Sequence, residues 1–297
     1  IFDLEECYLQ SPESNMLVNA FRAGAKLYQL EPYNLKTHEG LLRFLVVREA
    51  KVKRQFMINL VVSEYPHSEI DLLINFVCKK VPQLTEIVIS RHTGKAQVAM
   101  GEVSFVIRGN GYIEESCGDN ILKISPNSFY QTNSIQSERL YSIIRNWIGK
   151  DVENILDLYS GTGSIALYLA SFAKKLTGVE LVRDATIDAV SNAEKNAVYN
   201  CNFLSAPVED FLKNLDSFNY DLMIIDPPRP GIHPKVLRCL GDIRPPWILY
   251  VSCNIKTLVE DLETIVEFGY QIGRMRPVDM FPHTPHCEIV CELKRLD

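Results

Sequence analysis

One thiol stands out among the side chains that could react. Cys253 closes the apolar run Trp247-Ile248-Leu249-Tyr250-Val251 and lies between the polar residues Ser252 and Asn254. A cysteine at the end of such a strand-like run is placed to act as a nucleophile. Its reactive form is the thiolate, so the site is expected to favour thiolate over thiol. The other cysteines, at 7, 78, 117, 201, 239, 287 and 291, form no Cys-x-x-Cys pair, and several sit in apolar runs. They read as reduced, buried residues of a cytosolic protein. The stretch Asp279-Met280-Phe281-Pro282-His283-Thr284-Pro285-His286-Cys287-Glu288 holds the second group of reactive types. Its histidines and cysteine make a poor metal set, because the prolines break helical register and a fourth ligand is missing; no metal is expected. Glu288 instead reads as a general base entering a last strand, Ile289–Leu293, the alternative being an ordinary exposed carboxylate.

A second set of residues suits a bound ligand. The run Ile155-Leu156-Asp157-Leu158-Tyr159 is followed by Ser160-Gly161-Thr162-Gly163-Ser164 and a helical stretch. Glycines let a backbone approach a ligand closely, and a helix start offers free N–H groups. A tight strand-to-helix turn without a ligand would look the same. Glu180 ends the next strand, about 20 residues after the glycines, where a carboxylate suits ribose hydroxyls. The run Asp221–Ile225 leads into Asp226-Pro227-Pro228-Arg229-Pro230-Gly231. Two prolines remove two backbone donors and stiffen the exit, holding Asp226 at the sheet edge. Together these features look like an S-adenosylmethionine fold rather than a hydride-transfer fold. An Asp-Pro-Pro also resembles amino-methyltransferases, where an aromatic follows; Arg229 departs from them.

Such residues converge only if a sheet carries them. From about Asn127 onward, apolar strands (154–159, 175–180, 221–226, 247–252) alternate with helical stretches, which predicts a parallel sheet flanked by helices. Ligands of such sheets bind at the carboxyl ends of the strands, where the residues above fall. Upstream, Pro12–Leu30 has helical spacing, and Leu41–Val47, Gln55–Val62, Leu84–Ser90 and Gln97–Ile107 read as strands of an antiparallel sheet. The expected architecture is therefore α/β: a Rossmann-like catalytic domain over 126–297, preceded by a smaller α+β domain over 1–125. The net charge of −6 argues against a pure nucleic-acid clamp, which is usually basic. With no run of about 18 apolar residues and no leader, the chain is expected to be cytoplasmic, with no membrane partner. Its first residue is Ile, so it is expected to begin inside a longer gene product.

The chain resembles the RNA 5-methyluridine (uracil-C5) methyltransferases of transfer and ribosomal RNA. The resemblance rests on Ser125-Pro126-Asn127-Ser128-Phe129-Tyr130-Gln131-Thr132-Asn133, the glycine turn, Asp226-Pro227-Pro228-Arg229, Ser252-Cys253-Asn254 and the Asp279–Glu288 stretch, in the family's order and spacing. It implies a catalytic role for Cys253 as nucleophile and Glu288 as base. It implies that Gln131, Tyr159, Ser164, Glu180 and Asp226 bind S-adenosylmethionine. Ser164 stands where many members have Asn, and Ile255 where proline is usual. Cys7 resembles the last of four cysteines that hold an iron–sulfur cluster in ribosomal RNA members, so a cluster is expected only in a longer form of the protein. The implied partner is RNA, ribosomal RNA favoured and transfer RNA the alternative, with the enzyme a monomer and a smaller domain that contacts RNA. Two rivals stay open: an amino-methyltransferase, which needs no cysteine, and a catalytically silent RNA-binding homologue.

Overall fold

Ser11 and Pro12 start the first helix. The Ser11 hydroxyl accepts the Ser14 amide at 3.1 Å, and Pro12 takes the first helical position, where its missing N–H has no partner to lose. This helix, α1 (Pro12–Leu27), opens the first of two units in a computed structural model that describes residues 3–149, 152–215 and 217–296. The first unit runs to Glu115 and adds Ile124–Asn127; the second comprises Ser116–Lys123 and the chain from Ser128 onward.

In the first unit, β1 (Leu42–Ala50), β2 (Gln55–Val62), α2 (Ser68–Lys80), β3 (Leu84–Arg91) and β4 (Val103–Arg108) follow α1. The sheet order is β1-β2-β3-β4. Its outer pairings are antiparallel, as expected, but β2 and β3 are parallel. The cause is α2, which the sequence reading did not assign and which carries the chain back across the sheet. Ile70, Leu73, Ile74 and Val77 follow helical spacing and are buried with Leu17 and Phe21 of α1 against Ile58, Leu60, Ile87 and Ile89. Each such side chain contributes roughly 1.5–3 kcal/mol by leaving water. Gln97–Met100 lies outside β4, contrary to expectation. Just before it, the Arg43 guanidinium gathers the carbonyls of His92, Gly94 and Ala96 at 2.7–3.1 Å, which turns the chain out of the sheet after β3. After β4, β5 (Ile113–Cys117) and β6 (Asn120–Ile124) pair as a two-stranded ribbon.

The second unit continues with α3 (Ser134–Ile148), β7 (Asn154–Leu158), α4 (Ser164–Leu169), β8 (Lys175–Glu180), α5 (Arg183–Lys195), β9 (Cys201–Ser205), α6 (Val208–Lys213), β10 (Leu222–Ile225), α7 (Pro234–Ile243), β11 (Trp247–Ser252), α8 (Ile255–Glu267), β12 (Tyr270–Val278) and β13 (Glu288–Arg295). They build a seven-stranded sheet in the order β12-β13-β11-β10-β7-β8-β9. The strands β9, β8, β7, β10 and β11 are mutually parallel. They are covered on both faces, so β7, β10 and β11 are almost continuously apolar and buried. β13 runs against both of its neighbours. It therefore begins at the edge where the parallel strands end. Chain order reverses between β7 and β10, and sheets of this kind take their ligands at the carboxyl ends of the strands beside such a reversal.

The turn after β7 is close-packed. Gly163 has φ +78°, and a Cβ there would lie 2.7 Å from the Phe203 ring and 3.1 Å from Ala189 Cβ. Gly163→Ala should lower stability by about 1–3 kcal/mol through overpacking and a disfavoured φ. Urea unfolding checks this: the midpoint should fall with the slope unchanged.

Candidate active site

The sheet register brings the reactive residues together. Ser252 of β11 faces Ile289 of β13, so the next residues along, Cys253 and Glu288, face each other across that antiparallel pair. Ile225 of β10 faces Tyr250 of β11 and Leu158 of β7, which brings Asp226 alongside Val251 and Tyr159. Leu158 faces Val179, so Glu180 lies beside Tyr159. Four strand ends and one strand start thus carry Glu180, Tyr159, Asp226, Cys253 and Glu288 along one edge.

The loop after Asp226 is fastened from α8. The Arg229 carbonyl accepts the Asn254 side-chain amide at 3.2 Å and the Thr257 hydroxyl at 3.4 Å. Asp261 Oδ2 accepts the Ile232 amide at 2.8 Å and the Tyr250 hydroxyl at 2.5 Å. Gly231, at φ +86°, leaves room for that carboxylate, since a Cβ would meet Asp261 Oδ2 at 2.7 Å. Asn254 also caps α8 by accepting the Lys256 amide. These contacts hold Arg229 beside Cys253 and Glu288.

Electrostatics couple the residues of the edge. Burial pushes Glu288 up to about 7, with the Arg229 guanidinium opposing. Its Oε2 is buried without a hydrogen-bond partner. Burial also pushes Asp226 well above the usual carboxylate range, and Glu288 and Asp157 add to the effect. Cys253 is half-buried, and its thiol is raised by burial, then by Glu288 and Asp226, with Arg229 opposing. In this protein the site therefore favours the thiol, contrary to expectation, because two carboxylates and a low-dielectric wall outweigh one cation. Asp157, which the sequence reading passed over, is fully buried in the middle of β7, and burial pushes it up to about 8. Only its place before the glycine turn could have marked it.

The ligand-binding candidates lie around that turn. Gly161 and Gly163 both have positive φ, and an added Cβ at Gly161 would meet only the Phe129 carbonyl within 4 Å. Glu180 accepts the Gly161 amide at 2.9 Å and the Val182 amide at 2.7 Å, fixing both turn and strand exit. Tyr159 sits at φ +64°, a conformation that costs a bulky residue roughly 1–3 kcal/mol and that turns the chain sharply off β7. Burial raises its hydroxyl to about 12. Ser164 starts α4, and its hydroxyl pairs with the Tyr141 hydroxyl at 3.0 Å. Gln131 is 8% exposed, three residues beyond Ser128. The Ser160 and Thr162 hydroxyls of the turn are buried and unpaired. His283 and His286 are exposed, and among the described residues no group of three or more His, Cys, Asp or Glu is arranged to hold a metal ion.

Comparison with known proteins places the chain in a family. Residues 112–296 match the model of the family described as tRNA (uracil-5-)-methyltransferase. An uncharacterised RNA methyltransferase of Clostridium tetani is 37% identical over all of this chain and 66% of its own length. One from Chlorobaculum tepidum is 39% identical over all of this chain and 63% of its own. The chain thus spans slightly less than two thirds of these relatives. The crystal structure of Pyrococcus abyssi tRNA (uracil-54, C5)-methyltransferase in complex with S-adenosyl-L-homocysteine is 31% identical, with a TM-score of 0.77 over 99% of this chain and 70% of that one. The crystal structure of M. jannaschii tRNA m1G37 methyltransferase shares the fold at 13% identity, with a TM-score of 0.56 over 94% of this chain and 79% of that one.

The raised thiol gives a test by alkylation. Iodoacetamide modification of Cys253, followed by peptide mass analysis across pH, should show a midpoint above the usual thiol value. Glu288→Gln removes a neighbouring negative charge, so the midpoint should fall; Arg229→Met removes the opposing cation, so it should rise. Equal midpoints in all three proteins would contradict the coupling.

Proposed function

The chain belongs to the tRNA (uracil-5-)-methyltransferase family, and from that premise we propose that it forms 5-methyluridine in RNA, with Cys253 as nucleophile and Glu288 as base. The observation that carries this reading is the pairing of these two residues across β11 and β13, beside Asp226 and the glycine turn. An amino-methyltransferase has no use for a thiol facing a raised carboxylate.

The residues present fit S-adenosylmethionine. The turn has glycines that admit a ligand, two buried unpaired hydroxyls, and Glu180 at the distance from the glycines that suits a ribose. Asp157, Asp226 and Glu288 form an acidic group whose raised values call for a cationic ligand. Gln131, Tyr159, Ser164, Glu180 and Asp226 would hold the cofactor. When bound, it supplies a methyl group on a cationic sulfonium sulfur.

Uracil C5 is a poor nucleophile until its double bond is broken. Cys253 loses its proton to water, and the thiolate adds to C6, forming the S–C6 bond and moving the C5=C6 electron pair into an enolate. C5 then takes the methyl group, and the sulfonium sulfur keeps the pair of the broken bond. The Glu288 carboxylate removes the C5 proton; the pair left behind re-forms C5=C6 and expels the thiolate. A base raised to about 7 suits this last step near neutral pH, where a catalytic base takes up a proton most effectively. Arg229 favours the charged forms of both groups. The uracil must reach the pocket unstacked.

In this reading, residues 1–125 contact RNA, residues 126–297 perform catalysis, and the protein acts as a cytoplasmic monomer. The resemblance around Cys7 favours ribosomal RNA, and the named relative from Pyrococcus abyssi acts on transfer RNA. Nucleoside mass analysis of both RNAs after incubation with labelled cofactor is the test. A methyl on uracil C5 supports the proposal, a methyl on an exocyclic nitrogen supports the amino-methyltransferase, and none supports a silent homologue. Cys253→Ala should bind S-adenosylmethionine and transfer no methyl; full activity there would overturn the proposal. Glu288→Gln should accumulate a covalent RNA adduct on a denaturing gel.

The acidic group also predicts linked protonation. A cation beside Asp226 and Glu288 lowers their pKa values, so binding S-adenosylmethionine near pH 7 should release protons. Uncharged-sulfur S-adenosylhomocysteine should release fewer. Calorimetry in two buffers of different ionisation enthalpy measures the difference.

A further inference from the structure

Helix α5 carries two buried polar residues at one helical spacing, Asp188 at 1% exposed and Asn192 at 0%, and the half-buried C-cap Asn196 continues that spacing. Positions four apart share a helix face, so Asp188, Asn192 and Asn196 form a single stripe. Buried amides persist only where their hydrogen bonds are made, and here they are. Asn196 Oδ1 accepts the Ile121 amide at 2.8 Å and its Nδ2 donates to the Ile121 carbonyl at 2.9 Å. Asn192 does the same one step along β6: Oδ1 accepts the Lys123 amide at 2.6 Å, and Nδ2 donates to the Lys123 carbonyl at 3.1 Å. The two side chains replace a strand along the free edge of β6. Asp188 extends the row, accepting the Ser128 hydroxyl at 2.6 Å and pairing with the Lys123 ammonium at 3.2 Å.

Asn192 differs from Asn196 in one contact. Its second amide hydrogen goes to the Thr162 carbonyl, at 3.2 Å, inside the glycine turn. A primary amide has two hydrogens, and both are used. The same face of α5 meets the turn a second time, where Ala189 Cβ stands against Gly163. One side chain therefore ties the glycine turn to the segment that leads through Ser128 to Gln131.

We infer that Asn192 is a positioning residue for the cofactor, locking the turn at Gly161–Gly163 to the strand and loop that present Gln131, with Asp188 and Ser128 as the second anchor. The inference rests on the reading of this site as an S-adenosylmethionine site. Asn192 needs no contact with the ligand; it fixes the separation of the two walls that grip it. Asn196 makes an equivalent clamp on β6 with no bond to the turn, which makes it the control.

The test uses the full chain and S-adenosylhomocysteine as probe, with calorimetric affinity and thermal midpoint measured for wild type, Asn192→Ala, Asn196→Ala and Ser128→Ala. Both asparagine variants should lose thermal stability to a similar degree. Asn192→Ala should bind the probe at least tenfold more weakly, Ser128→Ala several-fold, and Asn196→Ala within twofold of wild type. With S-adenosylmethionine varied up to saturation, Asn192→Ala should raise KM for the cofactor while kcat stays within about threefold. Equal affinity losses in both asparagine variants, or none in Asn192→Ala and Ser128→Ala, would overturn the inference. Should Asn192→Ala fail to fold, Ser128→Ala decides alone. Absence of binding by the wild type would overturn the cofactor reading itself, and this inference with it.

Discussion

The reversed direction of β13 is the constraint on which the site depends. In a wholly parallel sheet, every strand would deliver its last residue to the ligand edge and its first residue to the far side. Because β13 inserts antiparallel between β12 and β11, its first residue, Glu288, meets the residue after β11, Cys253. A thiol and a carboxylate from segments far apart in sequence become cross-strand neighbours, held by the ladder of hydrogen bonds between two rigid strands. The loop that supplies Arg229 is fastened separately, from Asn254, Thr257 and Asp261 of the α8 region. A site held this way moves little, which suits chemistry that needs a thiol and a base on one small ring.

That placement has an electrostatic cost. Burial raises Asp157, Asp226 and Glu288, and two of them raise Cys253 in turn. Arg229 is the cation that opposes these shifts at both Cys253 and Glu288. The protonation of Asp226, Glu288 and Cys253 is thus linked: a change of charge at Asp226 alters the field at Cys253.

Much of the fold was legible because it follows from patterns. Apolar runs marked the central strands, and the glycines between 160 and 164 marked the turn. The position of Cys253 after an apolar run separated it from the other cysteines. Other features depend on neighbours that no local pattern announces. Pairing of β2 with β3 is parallel because α2 intervenes, and the chain between β3 and β4 leaves the sheet where Arg43 collects the carbonyls of His92, Gly94 and Ala96. The direction of the thiol shift follows from burial first, then from Glu288 and Asp226, which flank Cys253 from the two neighbouring strands. Asn192 and Asn196 look like ordinary polar helix residues in the chain; only the docking of β6 shows that their amides act as a strand edge. Tyr159 carries no sign in its sequence of a positive φ.

The central claim is that Cys253 forms a bond to uracil C6 and that loss of the C5 substituent requires a proton there. RNA containing 5-fluorouridine tests this most directly, since fluorine at C5 cannot leave as a proton. Incubated with S-adenosylmethionine, the protein should stall as a stable covalent complex, and mass analysis should find the methylated fluorouridine on the peptide that carries Cys253. Methyl transfer to natural RNA with no adduct on that peptide from the fluorinated RNA would contradict the account.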